Sequence, residues 1–176
     1  MDVIAICGSP RKGNTEFILK RLLMKAEGAG HKTELVLLRE KKIGYCMGCL
    51  GCDKSGACPI SDDMDAIIAS MEKSDLIIFA SPNYYNNVSG IMKVFFDRMN
   101  VLYGTDKLSG KKVSVIFVGE EVKTIQKAIL SVESIANSFG MDIVCSLYLN
   151  GKGPRDIETN PESVQKIDDF AKIFLS

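Results

Sequence analysis

Short apolar runs rich in β-branched residues recur along this chain, and between each pair stands a segment whose apolar residues repeat with a helical period. The runs are VIAIC (3–7), TELVLL (33–38), DLIIFA (75–80), KVSVIFV (112–118) and DIVCSLYL (142–149). Near-continuous apolar sequence of this length suits a strand covered on both faces, the condition of a strand in a parallel sheet. The intervening segments are FILKRLLMKAEGAG (17–30), DDMDAIIASMEK (62–73), SGIMKVFFDRMNVL (89–102) and VKTIQKAILSVESIANSF (122–139). In the first, Phe17, Ile18, Leu22 and Ala26 share a face, and Gly28 and Gly30 are stop signals. A last amphipathic segment, PESVQKIDDFAKIFL, opens on Pro161, where a first helical turn tolerates proline. Strands alternating with helices predict an α/β fold, a doubly wound five-stranded parallel sheet between two helical layers.

A chain of 176 residues suffices for one domain, expected over 1–176, and no repeat, linker or low-complexity tract divides it. Lys and Arg number 22 and so do Asp and Glu, so no excess charge argues for nucleic acid or a membrane surface as partner. The start, MDVIAICGSP, has no basic region, and its apolar run stops at Gly8, too short for a signal segment or a span. A cytoplasmic protein is expected, and in that compartment six cysteines point to thiols or metal ligands before disulfides. Cys7 and Cys145 lie within apolar runs as small core residues. Cys46, Cys49, Cys52 and Cys58 crowd one irregular, glycine-rich stretch at about 43–61.

The loop after the first strand, GSPRKGNT, carries what an anionic phosphate needs. It has glycines for close backbone approach, hydroxyls on Ser9 and Thr15, the amide of Asn14, the cation of Arg11 and the start of a helix with unpaired N–H groups. The competing reading is a solvated loop in which Asn14 or Thr15 caps the helix. Neither GxGxxG nor GxxxxGK[ST] is present, which disfavours a dinucleotide fingerprint and a P-loop kinase. Beyond the third run, Tyr84 and Tyr85 form an aromatic pair suited to flank a planar ring, one of them stacking, or else to cover the following helix. Phe95 and Phe96 fit a core or subunit interface, and Lys93, Asp97 and Arg98 fit surface or inter-element pairs.

GSPRKGNT resembles the phosphate loop of the flavodoxin-like NAD(P)H-dependent FMN reductases, and SPNYYNNVSGIMKVFFDR resembles their second signature, SPxYxxxxxGxxKxFxDR. The resemblance extends over nearly the whole chain and implies a flavodoxin-like three-layer fold with FMN as cofactor. It implies that Ser9, Arg11, Gly13, Asn14 and Thr15 hold the FMN phosphate. Pro82, Asn83, Tyr84, Tyr85 and Asn86 would lie against the isoalloxazine and ribityl chain, and GEE at 119–121 would border the flavin edge. It also implies a homodimer or homotetramer, an expectation to which the many large apolar residues of 89–102 add weight.

The four crowded cysteines are separated by two, two and five residues, which neither helix nor strand periodicity brings to one buried face. The spacing approaches the iron-sulfur run C-x2-C-x2-C-x3-C-P, including the proline after the last cysteine. Zinc competes, though its sites usually pair two separated CxxC units, and free thiols are the third reading. The stretch is similar to the compact motif of the iron-sulfur flavoprotein branch of the same family, followed here by Asp62, Asp63 and Met64. That likeness implies a [4Fe-4S] cluster on Cys46, Cys49, Cys52 and Cys58 that passes electrons, from a donor such as ferredoxin, to FMN and a small-molecule acceptor. Two alternatives stand beside it: a cluster-free NAD(P)H-dependent reductase of flavin, quinone, nitro or azo compounds, and a flavodoxin-type electron carrier. In all three the chemistry belongs to the cofactor, and no side chain is expected to act as nucleophile or general base.

Overall fold

A computed structural model describes residues 1–175. The five expected strands form as β1 (Asp2–Cys7), β2 (Lys32–Leu37), β3 (Leu76–Pro82), β4 (Lys112–Gly119) and β5 (Asp142–Asn150). All neighbours pair in parallel, in the order β2-β1-β3-β4-β5, which is the flavodoxin-like order. In register, Ala5 stands between Leu35 and Ile78, and Phe79 lies opposite Val115. Between β4 and β5 the register slips after Val113, so that Ile143 and Cys145 find partners and Val144 is passed over, a bulge.

Side chains alternate across the sheet and fill two cores. Val3, Ala5, Cys7, Ile78 and Ile116 pack on one face with helices α1 (Asn14–Gly28) and α6 (Pro161–Leu175). Ile4, Ile6, Ile77, Phe79, Val115 and Phe117 pack on the other against α3 (Met64–Lys73), α4 (Gly90–Arg98) and α5 (Val122–Ser138). Phe79, Phe95 and Phe96 meet there at centroid distances of 5.2 to 6.2 Å. The predicted helix at 89–102 divides, because α4 ends at Arg98 and Met99–Leu102 tightens into a 3-10 turn. Its large residues Met92, Phe95, Phe96, Met99 and Leu102 are buried within the chain itself. The apolar surplus read as a sign of self-association is therefore used up by the chain's own core. The helix not foreseen is α2 (Gly51–Ser55), one turn inside the cysteine stretch. Among the described residues no helix is long and apolar enough to cross a membrane.

The α1 and α6 layer is fastened by Arg21, whose Nε and Nη2 donate to the two Asp168 carboxylate oxygens at 2.7 Å each, with Lys25 at 3.5 Å. The Arg21 hydrogen bonds hold the Asp168 carboxyl below the usual carboxylate range. With the folded value depressed, the stabilisation is complete above the unfolded value of about 3.9 and is lost as pH falls through the folded one. Asp168→Asn should flatten the acid limb of the stability curve, read as denaturant midpoints from about pH 6 down to about pH 3. Identical pH profiles for variant and wild type would count against this fastening.

Candidate functional site

Strand order reverses between β1 and β3, so the loops that leave their carboxyl ends diverge and open a crevice. The loops after β1, β3, β4 and β5 enclose a cleft of about 170 Å³. Ser9, Arg11, Gly13, Asn14 and Thr15 line it from the first loop and the start of α1; Pro82, Asn83 and Tyr84 line it from the second. Gly119 and Glu120 of the expected third loop border it, and Gly151 with Lys152 closes it. That last pair went unforeseen. The signal for it was only that β5, like its neighbours, ends at this edge of the sheet.

Backbone geometry makes the first loop receptive. At Gly8 a Cβ would come within 2.7 Å of Met92 Cβ, so α4 can approach the end of β1 only where there is no side chain. The Ser9 hydroxyl donates to Arg11 O at 2.6 Å and ties the turn. Gly13 precedes α1 in extended conformation, and no side chain caps the helix, so the capping alternative for Asn14 and Thr15 is not realised. The unpaired N–H groups of its first turn carry the positive end of the helix dipole. Thr15 is buried and lines the cleft. Glu16, an anion in that same turn, is neutralised by Lys20 at 2.7 Å and Arg39 at 2.9 Å. Burial works to raise its pKa, but the two cations outweigh burial and hold it below the ordinary value.

Asn14 plays a double part. Its Nδ2 donates to Gly153 O at 2.7 Å and its Oδ1 accepts from Ile157 N at 3.2 Å, so the amide braces the loop after β5 while lining the cleft. Asn83 Nδ2 donates to Thr124 Oγ1 at 3.0 Å, whereas Asn83 Oδ1 is buried with no partner among the described residues. An orphaned acceptor in a cleft calls for a donor from a ligand.

Tyr84 and Asn87 exchange two backbone hydrogen bonds, at 2.8 and 3.1 Å, around Tyr85 (φ 51°) and Asn86 (φ 64°). Left-handed backbone at both central residues marks a type I′ turn, which asparagine tolerates and tyrosine enters at a cost. Tyr85 is fully exposed at the tip, and neither it nor Asn86 lines the cleft, so of the aromatic pair only Tyr84 does.

The cysteine stretch is a loop with a fixed neck. Lys42 N donates to Asp63 Oδ2 at 2.6 Å, and Gly44 N donates to Asp62 Oδ2 at 2.8 Å. Arg98, expected at a surface or inter-element pair, is an inter-element pair buried at 2% exposure, its guanidinium on Asp62 at 2.6 Å. Lys93 and Asp97 pair on the surface as expected. Beyond the neck, Cys46 and Cys49 are exposed and Cys52 and Cys58 half-buried; Cys52 Sγ accepts from Asn100 Nδ2 at 3.4 Å. The donor set has the chemistry of a thiolate-ligated centre. Among the described residues, however, no three metal-ligating side chains converge. Cys7 is a core thiol that burial pushes up to about 11, and burial also raises Cys145, which lies 3.2 Å from Ser114 Oγ. Neither is poised to react.

A sequence model of the NADPH-dependent FMN reductase family matches residues 1–152. A protein of Archaeoglobus fulgidus named iron-sulfur flavoprotein is 36% identical over 167 residues, 94% of this chain and 75% of that protein. An iron-sulfur flavoprotein of Methanocaldococcus jannaschii is 38% identical over 120 residues, 68% of this chain and 62% of its own length. The match thus takes in less than two thirds of that second relative. Among solved structures, RosB with bound 8-demethyl-8-formylriboflavin-5'-phosphate superposes with TM-score 0.77 at 14% identity, over 97% of this chain and 75% of that one. At such identity the likeness is one of fold.

Proposed function

The chain belongs to the NADPH-dependent FMN reductase family and is a flavin-dependent oxidoreductase, and from this premise we propose that it works as an iron-sulfur flavoprotein. Electrons would pass from a donor such as ferredoxin, through a [4Fe-4S] cluster on Cys46, Cys49, Cys52 and Cys58, to FMN and a small-molecule acceptor. The observation that carries the flavin assignment is the uncapped start of α1 at the point where strand order reverses, with the orphaned Asn83 Oδ1 lining the same cleft. The residues present fit the group: a phosphate would take the N–H groups of the first turn, the Thr15 hydroxyl and the Arg11 cation. Asn83 Oδ1 offers an acceptor to a ring edge, and Tyr84 and Pro82 offer flanking surface. When bound, FMN supplies the exchange between one-electron and two-electron steps. The chain's part is to hold it, orient it and border its edge with Gly119 and Glu120.

Support for the cluster comes from the four-thiol donor set and from the names of the two relatives. A cluster-free NAD(P)H-dependent reductase is the second reading, favoured by the thiols' not being gathered. An oligomer belongs to the first reading; exposed Tyr45, Met47, Leu50 and Tyr103, on and beside the cysteine loop, are apolar surface that a second copy would cover. The two readings part under anaerobic conditions. Reduced ferredoxin should bleach the bound flavin faster than NADPH does, and faster bleaching by NADPH would favour the cluster-free reductase.

A further inference from the structure

Arg98 ends α4, and nothing in the flavin cleft uses it. Its side chain is 1% exposed. Burying a guanidinium is costly, and an apolar side chain of like volume often serves stability as well as a buried ion pair does, so the placement asks for another reason. The partners of Arg98 supply one. Nη1 donates to Gly44 O at 3.0 Å and to Asp62 Oδ2 at 2.6 Å; Nη2 donates to Ile60 O at 3.1 Å and to Asp62 Oδ1 at 3.2 Å. Gly44 and Ile60 stand on the two sides of the cysteine stretch and flank all four thiols. Asp62 also accepts from Gly44 N at 2.8 Å and Met64 N at 3.0 Å, so its carboxylate joins both ends of the loop to the fork. Burial works to lower the Arg98 pKa, and the Asp62 carboxylate more than reverses this.

We propose that Arg98 is a positioning residue for the cysteine loop: its planar fork pins both ends of the loop to α4, holding Cys58 at the neck while Cys46 and Cys49 ride on the exposed tip. The same helix is capped by Ser89, whose hydroxyl donates to Gly8 O beside the flavin cleft and whose N–H donates to Ser81 Oγ at 3.0 Å. One rigid element thereby fixes the cysteine loop and the flavin loops relative to each other. The four contacts are divided between two nitrogens held in one plane; lysine keeps the charge but gathers its donors on a single nitrogen and lacks the fork.

The test compares wild type with Arg98→Lys, both FMN-loaded and iron-free, by timed iodoacetamide labelling with each cysteine read by peptide mass spectrometry. Cys58 is expected to label at least about tenfold faster in the variant, the effect of losing a charge-assisted hydrogen bond on local opening, with Cys46 unchanged and the core thiol Cys7 still protected. A Cys58 rate within about twofold of wild type in a variant that keeps FMN would overturn the proposal. So would Cys7 and Cys58 rising together, because a residue that only stabilises the fold loosens the core as well. Should Arg98→Lys fail to hold FMN, Asp62→Asn, which removes the charge that faces the fork and keeps one acceptor oxygen of the two that serve Gly44 N and Met64 N, is judged by the same three rates. A second arm rests on the iron-sulfur reading: anaerobic reconstitution should load fewer irons into Arg98→Lys than into wild type. Wild type that loads none defeats that reading alone, and the labelling ratio still decides the role of Arg98.

Discussion

Asn14→Asp should weaken FMN binding by about tenfold to a hundredfold, or roughly 1.4 to 2.8 kcal/mol. Two effects combine. The new carboxylate turns an oxygen toward Gly153 O, where Nδ2 now donates at 2.7 Å, and the loss of that hydrogen bond costs about 1 kcal/mol and frees the loop that carries Gly151 and Lys152. A negative charge in the first turn of α1 also competes with a phosphate for the same helix dipole and repels it by about 1 kcal/mol at a site open to water. The apo protein escapes the second effect, since an acid in that turn favours the helix. Fold stability should therefore fall less than flavin affinity. Titration of apo protein with FMN, followed by quenching of flavin fluorescence, measures the change. Affinity equal to wild type would remove this loop from phosphate binding.

Cys49→Ser should abolish iron uptake and leave FMN in place. Under anaerobic reconstitution the wild type is expected to take up about four irons per chain, with broad absorption near 400 nm, as cysteine-ligated clusters do. Cys49 is exposed at the loop tip, and no residue of the loop lines the cleft between the β1, β3, β4 and β5 loops. A change at the tip thus reaches the metal without passing through the flavin site. Iron, acid-labile sulfide and flavin are assayed on the same sample. Wild type that takes up no iron, or that binds stoichiometric zinc instead, ends the iron-sulfur reading and leaves the cluster-free reductase.

The sheet was legible because strands buried on both faces leave long apolar runs, and β1, β3 and β4 are buried along nearly their whole length. The first two cleft loops were legible because each follows such a strand and carries polar or aromatic residues with no core to fill. Lys152 was not, since a lysine after a half-exposed edge strand looks like any solvated loop. Tyr85 and Asn86 were placed against the ring on family likeness, and the sequence hides that a type I′ turn sends them outward. Arg98 was assigned to a pair, but not to burial: its partners are two backbone carbonyls and Asp62, far back in the chain, and carbonyls carry no sequence signature. The one-turn helix at Gly51–Ser55 is too short for any periodicity to reveal.

The strand order has a consequence for how copies of this protein can meet. Outer strands expose unpaired N–H and C=O groups and invite edge-to-edge polymerisation unless something blunts them. At one border β2 is short and presents Lys32 and Glu34 to solvent. At the other, the slip that passes over Val144 breaks the regular row of hydrogen-bonding groups on β5. Both borders are therefore poor templates for an added strand, which leaves the helical and loop surfaces as the faces open to a second copy.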